Sequence, residues 1–152
     1  MPAEYTTDGV SLSKVMLDHL NTWPAKPAEF ILDDFEKDPP SLMLQQLAAA
    51  TVVRRYINGS YIGSWMFSVE MRVSGEDTAS RLAATSCLND LEKWLTKKDR
   101  DGNFSNFPVI DDSRTVTGIE MTSAPAISAR YDSGVSDYQA IFSLEYKFSA
   151  RR

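Results

Sequence analysis

The chain has 152 residues, of which 43% are hydrophobic and 24% charged, a composition that is ordinary for one globular domain and excludes a disordered or collagen-like chain. A single cysteine excludes an internal disulfide and a metal site built from cysteines. With 16 basic and 21 acidic residues the formal net charge is -5, so tight electrostatic wrapping of nucleic acid is not expected.

No segment of the sequence has the pattern of a secretion signal or a membrane span. The first residues lack a basic stretch followed by an apolar one. The longest apolar region, residues 42–53, is interrupted by polar residues and is shorter than the about 18 residues that a membrane-spanning helix needs. We therefore expect a soluble protein that is made in the cytosol.

The N-terminal third of the chain combines a helical pattern with extended segments. Apolar residues recur at helical spacing over residues 11–23 and prolines follow, which predicts one amphipathic helix. Residues 28–33 predict a short strand, and residues 41–57 predict extended chain rich in Leu and Val. Asn58 and Gly59 are typical of a tight hairpin turn, because both tolerate positive φ. We therefore expect a hairpin at this point.

The middle of the chain predicts a strand followed by a helix. Residues 65–73 alternate between apolar and polar side chains, the period that places one set on a core and the other toward solvent or a partner. Residues 78–97 carry a wide apolar stripe at helical spacing, and Asp77 is placed to cap this helix. The stripe comprises Ala79, Leu82, Ala83, Leu88, Leu91, Trp94 and Leu95. We expect the helix to pack on a sheet.

The last third predicts a polar loop and then strands. Residues 97–112 form the loop, residues 114–122 and 128–131 predict two strands, and residues 132–134 predict a turn. Residues 138–148 alternate as a last strand. The whole order predicts an α+β fold in which all 152 residues form one domain, with a mixed, mostly antiparallel sheet and two main helices packed on one face.

Residues with catalytic or metal-binding chemistry occur singly. The sequence has no phosphate-binding loop, dinucleotide-binding glycine motif or serine-hydrolase elbow. His19 and Cys87 fall among apolar residues of the two predicted helices, so we expect both to pack. Asp99 begins a stretch that resembles a calcium loop, but its glycine comes too early and Ile110 replaces the required Glu. The sequence thus predicts no active site, metal or cofactor, and favours a binding or assembly protein.

The sequence has more apolar residues at turns, and on strand faces that are otherwise polar, than a core on one side of the sheet requires. Met66 and Ile141 interrupt the polar faces of their strands. Other apolar residues lie in or beside turns, where solvent is expected: Tyr56, Tyr61, Ile62, Phe104 and Phe107. Such residues mark either a partner surface or a second layer of core, and the pattern leaves both open. We take all seven as candidate contacts with a partner.

Three segments, in their order along the chain, resemble one family of viral proteins. Residues 56–72 read YINGSYIGSWMFSVEMR, a helix then ends in LNDLEKWL at residues 88–95, and residues 137–146 read DYQAIFSLEY. In this order the chain resembles the minor capsid or tail terminator proteins of long-tailed bacteriophages. The likeness covers about residues 41–148 and includes a Tyr-x-Ala-x-Phe-x-Leu-x-Tyr pattern on the last strand.

The resemblance implies a structural protein of the virion without enzymatic activity. Such proteins form a ring, usually of six copies, at the head-proximal end of the tail tube, where the ring stops growth of the tube and joins tail to head. The implied partners are copies of the same chain, the tail tube protein and the head-completion protein of the neck. DNA would pass through the lumen without specific binding, and assembly would take place in the bacterial cytoplasm, away from any membrane.

The size and charge of the chain are compatible with such a ring. A domain of 152 residues has a radius of gyration of roughly 15 Å, so six touching subunits leave a central hole about 38 Å wide. Six copies at -5 each carry -30 charges, which disfavours sticking of DNA. Two alternatives remain: a neck or head-completion protein that contacts the portal, and a small cytosolic enzyme or ligand-binding domain built from ordinary polar residues.

Overall fold

The computed structural model of the chain describes residues 4–35, 39–74, 78–98, 100–101, 107 and 110–150. Two helices and six strands occur within these residues, and together they confirm the predicted α+β class. In chain order they are α1 (Gly9–Leu20), β1 (Phe30–Leu32), β2 (Ser41–Gln46), β3 (Thr51–Arg55), β4 (Tyr61–Ser74), α2 (Thr78–Leu95), β5 (Arg114–Arg130) and β6 (Val135–Phe148).

The six strands form one open sheet that is mixed but mostly antiparallel, as predicted. The strand order is β1-β2-β4-β6-β5, and only β1 and β2 are parallel. β3 pairs with the first part of β4, and β2 pairs with a later part of the same strand. β4 and β6 pair over their whole lengths, through fourteen residue pairs, and so form the spine of the sheet.

The core lies between both helices and one face of the β4–β6 spine. The period of two on β4 buries alternate residues from Tyr61 to Val73 on this face. Each helix contributes an apolar stripe to the same cluster of buried side chains, and the two helices therefore cover the same face. The helical members of the cluster are Leu12, Met16 and Leu20 of α1 and Ala84, Leu88, Leu91 and Leu95 of α2.

The buried stripe of α2 differs from the predicted one. Ala84 is fully buried, whereas Leu82 is 63% exposed and Ala83 is exposed. Leu82 precedes Ala84 by two residues, which at 3.6 residues per turn places it on the opposite side of the helix. The prediction for Leu82 was therefore wrong, as it was for Ala79 and Ala83, which are also exposed. The predicted cap Asp77 lies outside the described residues.

The hairpin predicted at Asn58 and Gly59 is confirmed. Gly59 has a φ of 92°, and the backbone N–H of Tyr56 donates to the carbonyl oxygen of Ser60 at 2.8 Å. The turn predicted over residues 132–134 is also present, with Gly134 at a φ of 84°. Both turns use a glycine where a side chain would be strained.

Other predicted boundaries shift for local reasons. α1 ends at Leu20, since the N–H groups of Thr22 and Trp23 donate to carbonyl oxygens three residues earlier instead of four. The side chain of Asn21 accepts from the N–H of Phe30 at 2.7 Å and holds the chain after this turn. The extended stretch predicted over residues 41–57 is two strands, which pair with different parts of β4.

The last predicted pair of strands is a single strand. The two strands predicted over residues 114–122 and 128–131 are one strand, β5, whose register against β6 shifts at four bulges. Each bulge interrupts the alternation of side chains while the backbone pairing continues.

We expect Gly63→Ala to lower the free energy of unfolding by about 1–3 kcal/mol. A Cβ at residue 63 would overlap the ring of Tyr146, its partner on β6. Gly118→Ala is the matched control, since its nearest neighbouring atom would lie 3.9 Å away, and it should change stability by less than about 1 kcal/mol. Urea unfolding measures both, and equal effects would contradict the packing described here.

Candidate subunit interface

The face of the spine opposite the helices, here called the outer face, is polar at its edges and partly apolar at its centre. Its members on β4 are Ile62, Ser64, Met66, Ser68, Glu70 and Arg72. Their neighbours on β6 are Asp137, Gln139, Ile141, Ser143, Glu145 and Lys147. Met66 is 39% exposed, and Ile62 and Ile141 are half-buried. No helix among the described residues packs on this face.

The end of the outer face near β3 contains an open depression of about 290 Å³. Its side-chain lining combines carboxylates, hydroxyls and one exposed apolar residue: Glu120, Glu145, Ser64, Ser143 and Val53. The hydroxyl groups of Ser64 and Ser143 lie 3.4 Å apart. This volume is at the lower limit of small-molecule pockets, so the depression is better suited to side chains of a partner.

The opposite end of the outer face is closed by an ion pair within the chain. Arg72 donates to both oxygens of Asp137, at 2.8 and 3.0 Å, and Tyr131 donates to the same carboxylate at 2.9 Å. The guanidinium also lies over the ring of Phe35 at 4.2 Å. Burial, and then the charge of Asp137, raise the pKa of Glu70 beside this pair. These contacts satisfy the charges of Arg72 and Asp137 within the chain.

The β3–β4 hairpin exposes apolar side chains at its tip. Ile57 is fully exposed and Tyr56 is 39% exposed, with the ammonium of Lys147 lying 5.8 Å from the centre of the Tyr56 ring. Ile57 was not among the predicted contacts, although an apolar residue directly before Asn58-Gly59 was a usable signal. Val53, 62% exposed, was missed as well because it sits in an irregular part of β3.

The structure brings four of the seven predicted contact residues to one region. Ile62, Met66 and Ile141 share the outer face, and Tyr56 lies at the hairpin next to it. Phe107 is half-buried and packs against the core, in agreement with the alternative of a second core layer. Phe104 lies outside the described residues.

Tyr61 is the second of the seven residues that packs in the core and not on the surface. It is 8% exposed on the helix-covered face, where its ring stacks on Phe148 at 4.9 Å. Its hydroxyl group donates to the carboxylate of Asp8, a residue 53 positions earlier that precedes α1. The sequence around Tyr61 contains no local signal for a hydrogen bond to so distant a residue, so this contact could not be predicted.

The carboxylate of Asp8 anchors the start of α1 to three strands. Besides Tyr61, it accepts from the hydroxyl of Tyr146 at 2.7 Å and from the guanidinium of Arg114 at 2.7 Å. Arg114 is held in turn by Asp111 at 2.7 Å. Burial and the bond to Asp8 raise the pKa of Tyr61 to about 12. Because all these donors are supplied by the chain itself, the cluster stabilises the fold.

The segment before α1 is held against β3 by backbone contacts. The N–H of Val52 donates to the carbonyl oxygen of Glu4 at 2.8 Å, and the N–H of Thr6 donates to that of Ala50 at 2.8 Å. Arg55 forms an ion pair with Glu4. These contacts cover part of the free edge of β3, an arrangement by which proteins limit unwanted strand pairing.

His19 and Cys87 pack as predicted. The ring of His19 is half-buried and stacks on Trp94 at 4.9 Å, which joins α1 to α2. Burial raises the pKa of the Cys87 thiol to about 11, so the thiolate that would act as a nucleophile is disfavoured. Within the described residues no three His, Cys, Asp or Glu side chains are grouped closely enough to hold a metal ion.

Comparison with protein-family models gave no match, and a search of curated proteins gave none either. No helix in the described part of the chain is long and apolar enough to cross a membrane. The function is therefore argued from the arrangement of residues on the outer face and at the hairpin.

We expect Asp8→Asn to lower the free energy of unfolding by about 2–4 kcal/mol, because Tyr61, Tyr146 and Arg114 would lose a charged acceptor inside the fold. Asp18→Asn is the matched control, since Asp18 pairs with Lys14 on the exposed side of α1 and should change stability by less than about 0.5 kcal/mol. Urea unfolding distinguishes them. A D8N variant as stable as D18N would contradict the anchoring role.

Acid is expected to destabilise the fold through the same carboxylate. Burial raises the pKa of Asp8, but hydrogen bonds from Tyr61, Arg114 and Tyr146 together outweigh it and hold the pKa below the ordinary value. A carboxylate with a lowered pKa adds stability above its unfolded pKa and loses that stability as the pH falls. Wild-type stability should therefore drop below about pH 4, and that of D8N should drop less. Equal acid sensitivity of the two would rule this out.

Proposed function

We propose that this chain is a tail terminator of a long-tailed bacteriophage, which forms a ring, usually of six copies, at the head-proximal end of the tail tube. The residue patterns that resemble this family lie on the hairpin with β4, on the end of α2 and on β6. They thus belong to the spine of the sheet and to a helix that packs on it. In this proposal the fold is that of a tail terminator, and the protein has a structural role without enzymatic activity.

The observation that carries the proposal is the one-sided covering of the sheet. Both helices pack on one face, while the outer face keeps Met66, Ile62 and Ile141 partly accessible. Apolar side chains framed by polar ones are typical of protein contact surfaces. The adjoining hairpin adds Tyr56 and the fully exposed Ile57, which is the kind of projecting apolar residue that fits a neighbouring subunit.

Ring closure requires a contact between two different surfaces, and in this proposal the hairpin and the sheet face supply it. A hairpin and a sheet face are two different surfaces, so a contact between them on neighbouring copies is heterologous. Heterologous contacts either close into a ring or continue as a filament, and a terminator requires closure. In this proposal one rim of the ring meets the tail tube protein, and the other meets the head-completion protein. The net charge of -5 per copy lets DNA pass without specific binding.

We expect the purified protein, mixed with tail tubes of the phage that encodes it, to form a ring at one end of each tube. Electron microscopy shows the position, and light scattering of the protein alone shows whether the ring also forms free. Tubes assembled with the protein should have uniform length, and tubes assembled without it should vary. A protein that leaves tube ends bare and tube length unchanged would contradict the proposal.

A further inference from the structure

Two cations without an ion pair among the described residues flank Ile62 at the hairpin end of the outer face. Arg54 pairs in register with Ile62 on β4, and Ile62 pairs with Lys147 on β6, so the three residues form one row across the sheet. Arg54 and Lys147 are both exposed. Neither forms an ion pair within the part of the chain that the structure describes. We call these three residues the basic row.

Two carboxylates without a cationic partner lie next to the basic row. Glu145 is on β6 two residues before Lys147, and Glu120 on β5 pairs in register with Ser143. Glu145 accepts one hydrogen bond, from the hydroxyl of Thr117 at 2.9 Å, and neither carboxylate has an ion pair among the described residues. Both line the depression of about 290 Å³. We call Glu120 and Glu145 the acidic site.

What these four residues share is their position beside apolar groups that are open to solvent. Ile57 and Tyr56 lie beside the basic row, and Val53 lies beside the acidic site. The charges of Asp8, Arg72, Asp111, Arg114 and Asp137 are instead engaged in ion pairs within the fold. Each surface therefore offers an apolar contact together with a charge that the other surface complements.

We propose that the hairpin tip of one copy docks in the depression of the next copy, with Arg54 and Lys147 of the first facing Glu120 and Glu145 of the second. The inference rests on the proposed function, because ring closure requires a contact between two different surfaces. A second copy is the occupant because one chain carries both complementary surfaces. The charges select the partner and fix its register, while Ile57 and Tyr56 supply buried apolar area.

Charge reversal tests this docking, because mixing two oppositely reversed variants should restore the contact that each variant loses alone. The variant E120K/E145K makes both surfaces positive, and R54E/K147E makes both negative. We expect each variant alone to assemble at least about 100-fold more weakly than wild type, because like charges face each other. An equimolar mixture should restore assembly, since every contact then joins opposite charges in alternating copies. The variant with all four reversals should assemble alone.

Two controls separate docking from folding. Circular dichroism and urea unfolding should show that each variant is as stable as wild type, because all four side chains are exposed. The variant K14E/D18K reverses an exposed pair on α1 and should assemble like wild type. Assembly is measured by light scattering and by ring formation on tail tubes.

The possible results distinguish the docking inference from the proposed function. Rings that form on tubes equally well with either charge-reversed variant would overturn the docking inference and leave the proposed function standing. A discrete wild-type dimer, lost in both variants and restored by their mixture, would indicate two outer faces packed together and would also overturn the inference. Wild-type protein that neither self-associates nor binds tube ends would overturn both.

Discussion

The pairing of β4 with β6 is the constraint on which the rest of the structure depends. Fourteen residue pairs fix which side chains share a face, and the period of two places Trp65, Phe67 and Phe142 together in the core. The two helices bury this face, while on the other face Met66 is exposed and Ile62 and Ile141 are half-buried. A slip of one residue would turn the aromatic set outward. The one-sided covering, and therefore the accessible outer face, follows from this register.

Features with a local pattern could be predicted from the sequence, and features that depend on distant contacts could not. The alternation in β4 and β6, the Gly59 turn and the helices all have short-range signals. The continuity of β5 had no short-range signal in the sequence, because its bulges interrupt the alternation of side chains. Backbone hydrogen bonds to β6 keep it one strand. The candidate interface was predicted in part: Met66 follows from strand period, but Ile57 needed the observed exposure of the hairpin tip.

Two groups of charged residues have contrasting surroundings in the structure. Around Asp8 a carboxylate is surrounded by donors from three strands, so its charge holds the first helix in place. On the outer face, Arg54 and Glu120 are exposed and lie beside apolar groups. The first arrangement stabilises the fold from within, and in the proposed ring the second is covered by a neighbouring copy.

The central claim, that the outer face is covered on assembly, is tested most directly by the oxidation of Met66. Of the methionines in the described part of the chain, Met66 is exposed and the others are buried or half-buried. Peroxide treatment followed by mass spectrometry gives its oxidation rate in the free protein and in protein bound to tail tubes. The account predicts rapid oxidation of Met66 in the free protein and strong protection in the assembly. An unchanged rate in protein bound to tube ends would contradict it.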